Sequence, residues 1–158
     1  MSSKQINTKT IARIAAIQTL YQYHSSNYEL NIDSLTQKMI KFYKDGALQD
    51  DFALITTGDS VKVKLNANYF ASLVKIATEH LDQLDTIVLC HLDKKGGIDN
   101  LSALLLALLR IAVCELQFFP EVPNKVVINE FTDITSDMLS DNDIGFVNSI
   151  LDKISKGL

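Results

Sequence analysis

The sequence predicts an all-α protein, and three observations carry that reading. The last third of the chain, Leu108 to Lys153, holds three helical patterns in succession, each with readable boundaries. Further upstream, Phe70, Leu73, Val74, Ala77 and Leu81 recur at i, i+3, i+4, i+7 and i+11, the period of a helix buried along one side. The 158 residues include only six Gly and two Pro, which leaves little room for long irregular stretches. A chain of this length favours one domain and can bury a core without disulfides or metals.

The first helix is expected to start at Thr8 or Thr10, either of which can cap it, and to run through ARIAAIQTLYQYH until Ser25-Ser26-Asn27 ends it. Ile14, Ile17, Tyr21 and His24 share helical spacing, as do Ala12, Ala16 and Leu20, so much of its girth is apolar. The second runs from Asp33, read as its N-cap, to Lys44, with Leu35, Met39, Ile40 and Tyr43 on the buried side. Residues 50–65 are read as a helical turn and a loop. A short hairpin about Gly58-Asp59 is the alternative, disfavoured because an isolated hairpin is marginal. The third helix starts after Asn66 or Asn68. Beyond Asp82, LDTIVLCHL continues it, or breaks and restarts.

Lys94-Lys95-Gly96-Gly97 is an internal linker rather than a domain boundary. Asp99 or Asn100 then caps the most apolar helix, Leu101 to about Phe118. Its leucines point in every direction, which marks a central helix. Pro120 and Pro123 end it, and Pro123 also suits the first turn of the next helix. Val127, Phe131, Ile134 and Met138 form that helix's stripe. Ser140-x-x-Asp143 reads as a capping-box-like start to the last helix, which turns Val147, Ile150, Leu151 and Ile154 inward. Lys153, Lys156 and Gly157 suit its C-terminal end.

Composition excludes several classes. Hydrophobic residues at 47% and charged residues at 22% are ordinary for a soluble protein. A formal net charge of −4 argues against a protein that coats nucleic acid non-specifically, since neutralising phosphates needs surplus Lys and Arg. Cys90 and Cys114 lie in apolar runs and read as reduced, buried thiols. The polar start MSSKQINTKT lacks a signal-peptide core. The run Leu101–Leu116 is interrupted by Ser102, Arg110 and Glu115 and is shorter than the roughly 20 residues of a bilayer span. The expected location is the cytoplasm, with no membrane partner.

No enzyme, cofactor or metal is expected. His24, His80 and His91 have no metal-ligand spacing with one another or with the cysteines, and neither a phosphate-cradling Gly loop nor a nucleophile elbow occurs. Arg110, inside the most apolar helix, is expected to bond a neighbouring helix or carbonyl groups, because Glu115 lies about 140° around the helix. Lys4, Lys9, Arg13, Gln18 and Tyr21 offer cations leading to polar and aromatic groups, a way to hold single-stranded RNA. Lys9, Arg13 and Gln18 are read as one narrow arc. On the residues alone, an ordinary solvated face outweighs that reading.

Three segments, LLRIAVCEL, VPNKVVINEFTDIT and FVNSILDKI, resemble signatures of the NusB family, the bacterial transcription antitermination factors. Ala12-Arg13-Ile14-Ala15-Ala16-Ile17-Gln18-Thr19-Leu20-Tyr21-Gln22 is similar to the family's opening helix, and YFASLV from Tyr69 to a third-helix segment. The resemblance implies about seven helices in two small subdomains, near residues 1–95 and 98–158. It implies recognition of boxA-type single-stranded RNA together with the ribosomal protein NusE, promoting processive transcription of ribosomal RNA operons within the transcription elongation complex. Lys4, Lys9, Arg13, Gln18 and Tyr21 then become RNA candidates. Asn124, Lys125 and Phe146, near the starts of the last two helices, join them because free N–H groups there attract phosphate. Phe146 fits stacking on a base or packing in the core equally. Glu130 and Asn148, in matching motif positions, are expected to be structural.

Two departures bear on function. Asn7-Thr8-Lys9-Thr10-Ile11 stands where the family carries consecutive arginines, so weaker, less salt-dependent RNA binding is expected. The start of the central helix is unusually apolar. Leu101, Leu104, Leu105 and Leu108 are candidates for a surface that meets NusE or a second copy as a homodimer, or else for a thicker core, the reading favoured narrowly. The alternative function is a helical protein-interaction module, binding NusE or itself, with weakened RNA contact.

Overall fold

The computed structural model describes residues 7–45, 64–92 and 97–157. Lys4, residues 50–63 of the segment read as turn and loop or hairpin, and the Lys94–Gly96 part of the linker lie outside them. The described residues form seven α-helices and one short 3-10 turn, with no strand. The chain divides into two compact units, Met1–Ser72 and Leu73–Leu158. The division falls inside the third helix rather than at the Lys94–Gly97 linker.

In the first unit, α1 (Thr8–Ser25) packs against α2 (Ile32–Lys44). Every residue of α1 from Ile11 to Leu20 except Gln18 is buried, including Arg13 and Thr19. The cap of α1 is Asn7, whose side chain accepts from the Lys9 N–H at 2.9 Å, one residue before the expected Thr8. Asn31, not Asp33, caps α2 by accepting from the Ser34 N–H at 2.9 Å; Asp33 sits in the first turn, where its charge suits the helix dipole. Asn27 and Tyr28 close α1 in the left-handed region, at φ 57° and 62°. There the Tyr28 N–H reaches the Tyr23 carbonyl at 2.9 Å and the Tyr28 ring stacks on His24.

The third helix, α3 (Ala67–Glu79), starts where Asn66 accepts from the Tyr69 N–H at 3.1 Å. Its register breaks at His80 and restarts as α4 (Leu81–Cys90), the second of the two readings left open by sequence.

In the second unit, α4, α5 (Ala103–Phe118), α6 (Asn124–Met138) and α7 (Asp141–Lys156) pack together, with α5 meeting the other three. Every residue of α5 from Leu105 to Leu116 is buried, as its all-round apolar character predicts. The expected Asp99 or Asn100 cap is displaced: Gly97–Asn100 form the 3-10 turn, and Ser102 caps α5 by accepting from the Leu105 N–H at 3.2 Å. Ser102→Ala is expected to cost about 1 kcal/mol, measurable by urea unfolding. Pro123 stands just before the first residue of α6. Ser140 caps α7 by accepting from the Asn142 N–H at 3.1 Å, so the box with Asp143 is only half formed.

Arg110, 4% exposed, reaches across to α4. Its Nε and Nη2 donate to the two carboxylate oxygens of Asp85 at 2.7 and 2.8 Å, the inter-helix bond expected of it. Cys114 is buried, and burial followed by the Glu115 charge pushes its thiol up to about 12. Cys90 is exposed, not buried as expected, because it follows buried Val88 by two residues and so falls on the outer side of α4. Iodoacetamide is therefore expected to alkylate Cys90 alone in the native protein and both cysteines after unfolding, read by mass spectrometry. Alkylation of native Cys114 at a comparable rate would contradict the packing of α5.

Candidate nucleic-acid and partner surfaces

The candidate RNA residues of the first unit do not all gather in one place. Lys9 Nζ lies 5.1 Å from the centre of the Tyr69 ring, and the Arg13 guanidinium carbon lies 5.8 Å from it, so the two cations share one aromatic ring. Lys9 is half-buried, but Arg13 is only 2% exposed. The expected role of Arg13 as a phosphate contact is therefore corrected: its side chain lies on the inner side of α1 among buried neighbours, where an RNA backbone does not reach it.

Gln18 is corrected too. At about 100° per residue it stands about 180° from Lys9, so the narrow arc does not exist. Its Oε1 instead accepts from the Tyr43 hydroxyl of α2 at 3.1 Å, in a place where burial raises the Tyr43 phenol well above its ordinary range. Tyr21 remains exposed, at 39%.

The second unit separates its two helix starts. At α6, Asn124 and Lys125 are exposed, no side chain caps the turn and no acidic residue stands in it. Its first N–H groups and Lys125 together suit an anion. At α7, Asp141 and Asp143 occupy the first turn, and Ser140 already accepts from Asn142. Those carboxylates satisfy the dipole and repel phosphate, so the phosphate argument for Phe146 fails, although its half-buried ring is still partly accessible. The outer edge of α6 is also acidic: burial, and then the charge of Asp133, raises the Asp137 carboxyl.

The four leucines proposed as a partner surface divide. Leu108 is wholly buried and Leu105 is 7% exposed, so both belong to the core rather than to a surface. Leu101 and Leu104 are half-buried at the start of α5. Glu130 is half-buried, and Asn148 is exposed, which does not suit the structural role expected of it. Among the described residues, no group of three or more His, Cys, Asp or Glu side chains could hold a metal ion, and no helix is long and apolar enough to cross a membrane.

Sequence reasoning missed two residues that matter here, Tyr69 and Asp85. Asn66-x-x-Tyr69 at a helix start was the available signal for the first. For the second it was a lone carboxylate beside Leu84 and Val88, matching the lone Arg110 of another apolar helix.

A sequence profile of the NusB family matches residues 10–156. The transcription antitermination protein NusB of Rickettsia bellii is 46% identical over 155 residues, covering 98% of this chain and 94% of that protein. That of Rickettsia rickettsii is 44% identical over 156 residues, covering 99% and 96%. Among solved structures, T. maritima NusB superposes with a TM-score of 0.73 at 22% identity, over 99% of this chain and 93% of that one. The crystal structure of antitermination factors NusB and NusE in complex with dsRNA gives 0.74 at 23% identity, over 96% and 98%. These two likenesses are to the fold.

Proposed function

The chain belongs to the NusB family, and from that premise we propose that it is a transcription antitermination factor that binds boxA-type single-stranded RNA together with the ribosomal protein NusE. The observation that carries this reading is the near-full-length match to proteins named for antitermination, 46% identical with no large segment unmatched on either side. Two features of the chain support it. Lys9, held over the Tyr69 ring at the first turn of α1, can meet a phosphate, and Tyr21, exposed further along the same helix, can meet a base. The uncapped start of α6 with Lys125 adds a second place for phosphate.

In this reading the protein catalyses nothing. It acts in the cytoplasm, within the transcription elongation complex, and steadies an assembly of RNA and NusE that keeps polymerase moving through ribosomal RNA operons. Leu101 and Leu104, not Leu105 or Leu108, are the apolar residues of that group available to NusE or to a second copy.

Titration of a labelled boxA-type RNA, with and without NusE, tests the proposal. Micromolar or tighter binding is expected in the presence of NusE, with clear preference over a scrambled RNA. Equal binding of the two RNAs under both conditions would sink it.

The burial of Arg13 favours one second reading, a helical interaction module that keeps NusE but has little RNA contact left. It expects Lys9→Ala to leave both NusE binding and the already weak RNA binding unchanged. The leading reading instead expects RNA affinity to fall several-fold and the salt dependence to flatten by about 0.7 in log–log slope for the lost phosphate.

A further inference from the structure

The start of α1 is electrostatically unfavourable as a piece of helix. Its first turn carries no acidic residue, although the positive end of the helix dipole favours one there. It carries Lys9 instead, with a like charge four residues on at Arg13, a spacing that destabilises an isolated helix. Among the described residues no carboxylate pairs with Lys9. What Lys9 does have is the Tyr69 ring, 5.1 Å from its Nζ.

That ring is itself held in place by two bonds. The Asn66 N–H donates to the Thr8 carbonyl at 3.4 Å, tying the entry of α3 to the first turn of α1. Asn66 Oδ1 accepts from the Tyr69 N–H at 3.1 Å, fixing the turn from which the ring projects. Arg13, buried beside the same ring, cannot reach solvent but adds its field to that of Lys9.

We propose that Tyr69 is a positioning residue for RNA binding: its ring holds the Lys9 ammonium at the first turn of α1, where its remaining donors meet a phosphate. An ammonium has three N–H groups, and a ring face engages it from one side only. A lysine stem restrained in this way loses less side-chain freedom on binding than a free one, which suits an arm poor in arginine. The inference rests on the RNA-binding reading above and adds to it a residue that does not itself touch RNA.

The test combines Tyr69→Phe, Tyr69→Leu, Lys9→Ala and the double variant Lys9→Ala/Tyr69→Leu. Each is titrated, in the presence of NusE, with labelled boxA-type and scrambled single-stranded RNA across a salt series, at a temperature where thermal unfolding shows all of them folded. Tyr69→Phe is expected to stay within about twofold of the parent, because the π-face is kept. Tyr69→Leu is expected to lose roughly 3- to 10-fold, with a slope shallower by up to about 0.7. The double variant is expected to bind no more weakly than Lys9→Ala alone. Independent, multiplying effects of the two substitutions would overturn the proposal, as would a Tyr69→Leu loss with an unchanged salt slope.

A second measurement stands if Tyr69→Leu does not fold. In the RNA-free parent, Lys9 side-chain protons are expected to be shifted upfield by the ring, and ordinary shifts there would overturn the proposal. A parent chain that binds both RNAs alike, with the Lys9–Tyr69 coupling intact, would defeat the boxA reading and leave this inference standing. A parent that binds no RNA would defeat both.

Discussion

Asp85→Ala is expected to destabilise the protein by about 3 kcal/mol and to lower its melting temperature by roughly 6–12 °C. The substitution leaves the Arg110 guanidinium, 4% exposed in the middle of α5, without the carboxylate that receives two of its donors at 2.7 and 2.8 Å. Removing one partner of a buried ion pair typically costs about 3–5 kcal/mol, because the stranded charge must stay desolvated or drag water inward. The Asp85 side chain keeps 25% exposure, which places the expectation at the lower end. The paired replacement Asp85→Leu with Arg110→Met removes both charges and is expected to recover most of the loss. Urea unfolding of the three variants checks this, and a loss below about 1 kcal/mol for Asp85→Ala would mean that water already screens the pair.

Leu108→Ala is expected to cost about 2–5 kcal/mol, since it deletes a fully buried side chain from the helix that meets α4, α6 and α7 and leaves a cavity its neighbours only partly fill. Leu101→Ala and Leu104→Ala, at half-buried positions, are expected to cost less, about 1 kcal/mol each. The contrast also separates core from interface. At a temperature where all variants are folded, Leu108→Ala should leave NusE binding unchanged, whereas a change at Leu101 or Leu104 should weaken it if that face meets the partner. A Leu108→Ala variant of parental stability that had lost NusE would reverse this assignment.

Much of the fold was legible in the chain because helices announce themselves locally. The Phe70–Ala77 stripe, the all-round apolar α5, the punctuation at Pro120 and Pro123, and the lysines near Gly157 are all readable within a few residues. Cap identities slipped by one to three residues where several polar residues compete. Asn31 prevailed over Asp33, and Ser102 over Asp99 and Asn100, because only the residue at the helix mouth can offer its oxygen to the free N–H groups. The candidate site was less legible. Lys9 and Tyr21 are legible as surface groups, but the burial of Arg13 is not, and neither is the contact of Tyr69 with Lys9, a residue 60 positions away.

The sequence by itself determined the helical architecture, the family and the class of function to look for. Those depend on periodicity and on motifs that are continuous along the chain. Tertiary structure alone decided which charges are spent inside and which face outward. Arg110 meets Asp85 and Gln18 meets Tyr43, each across 25 residues of chain, while Leu105 and Leu108 enter the core and Leu101 and Leu104 stay half out. Burial and pairing depend on what another helix brings to the same point in space, and no local pattern of side chains records that.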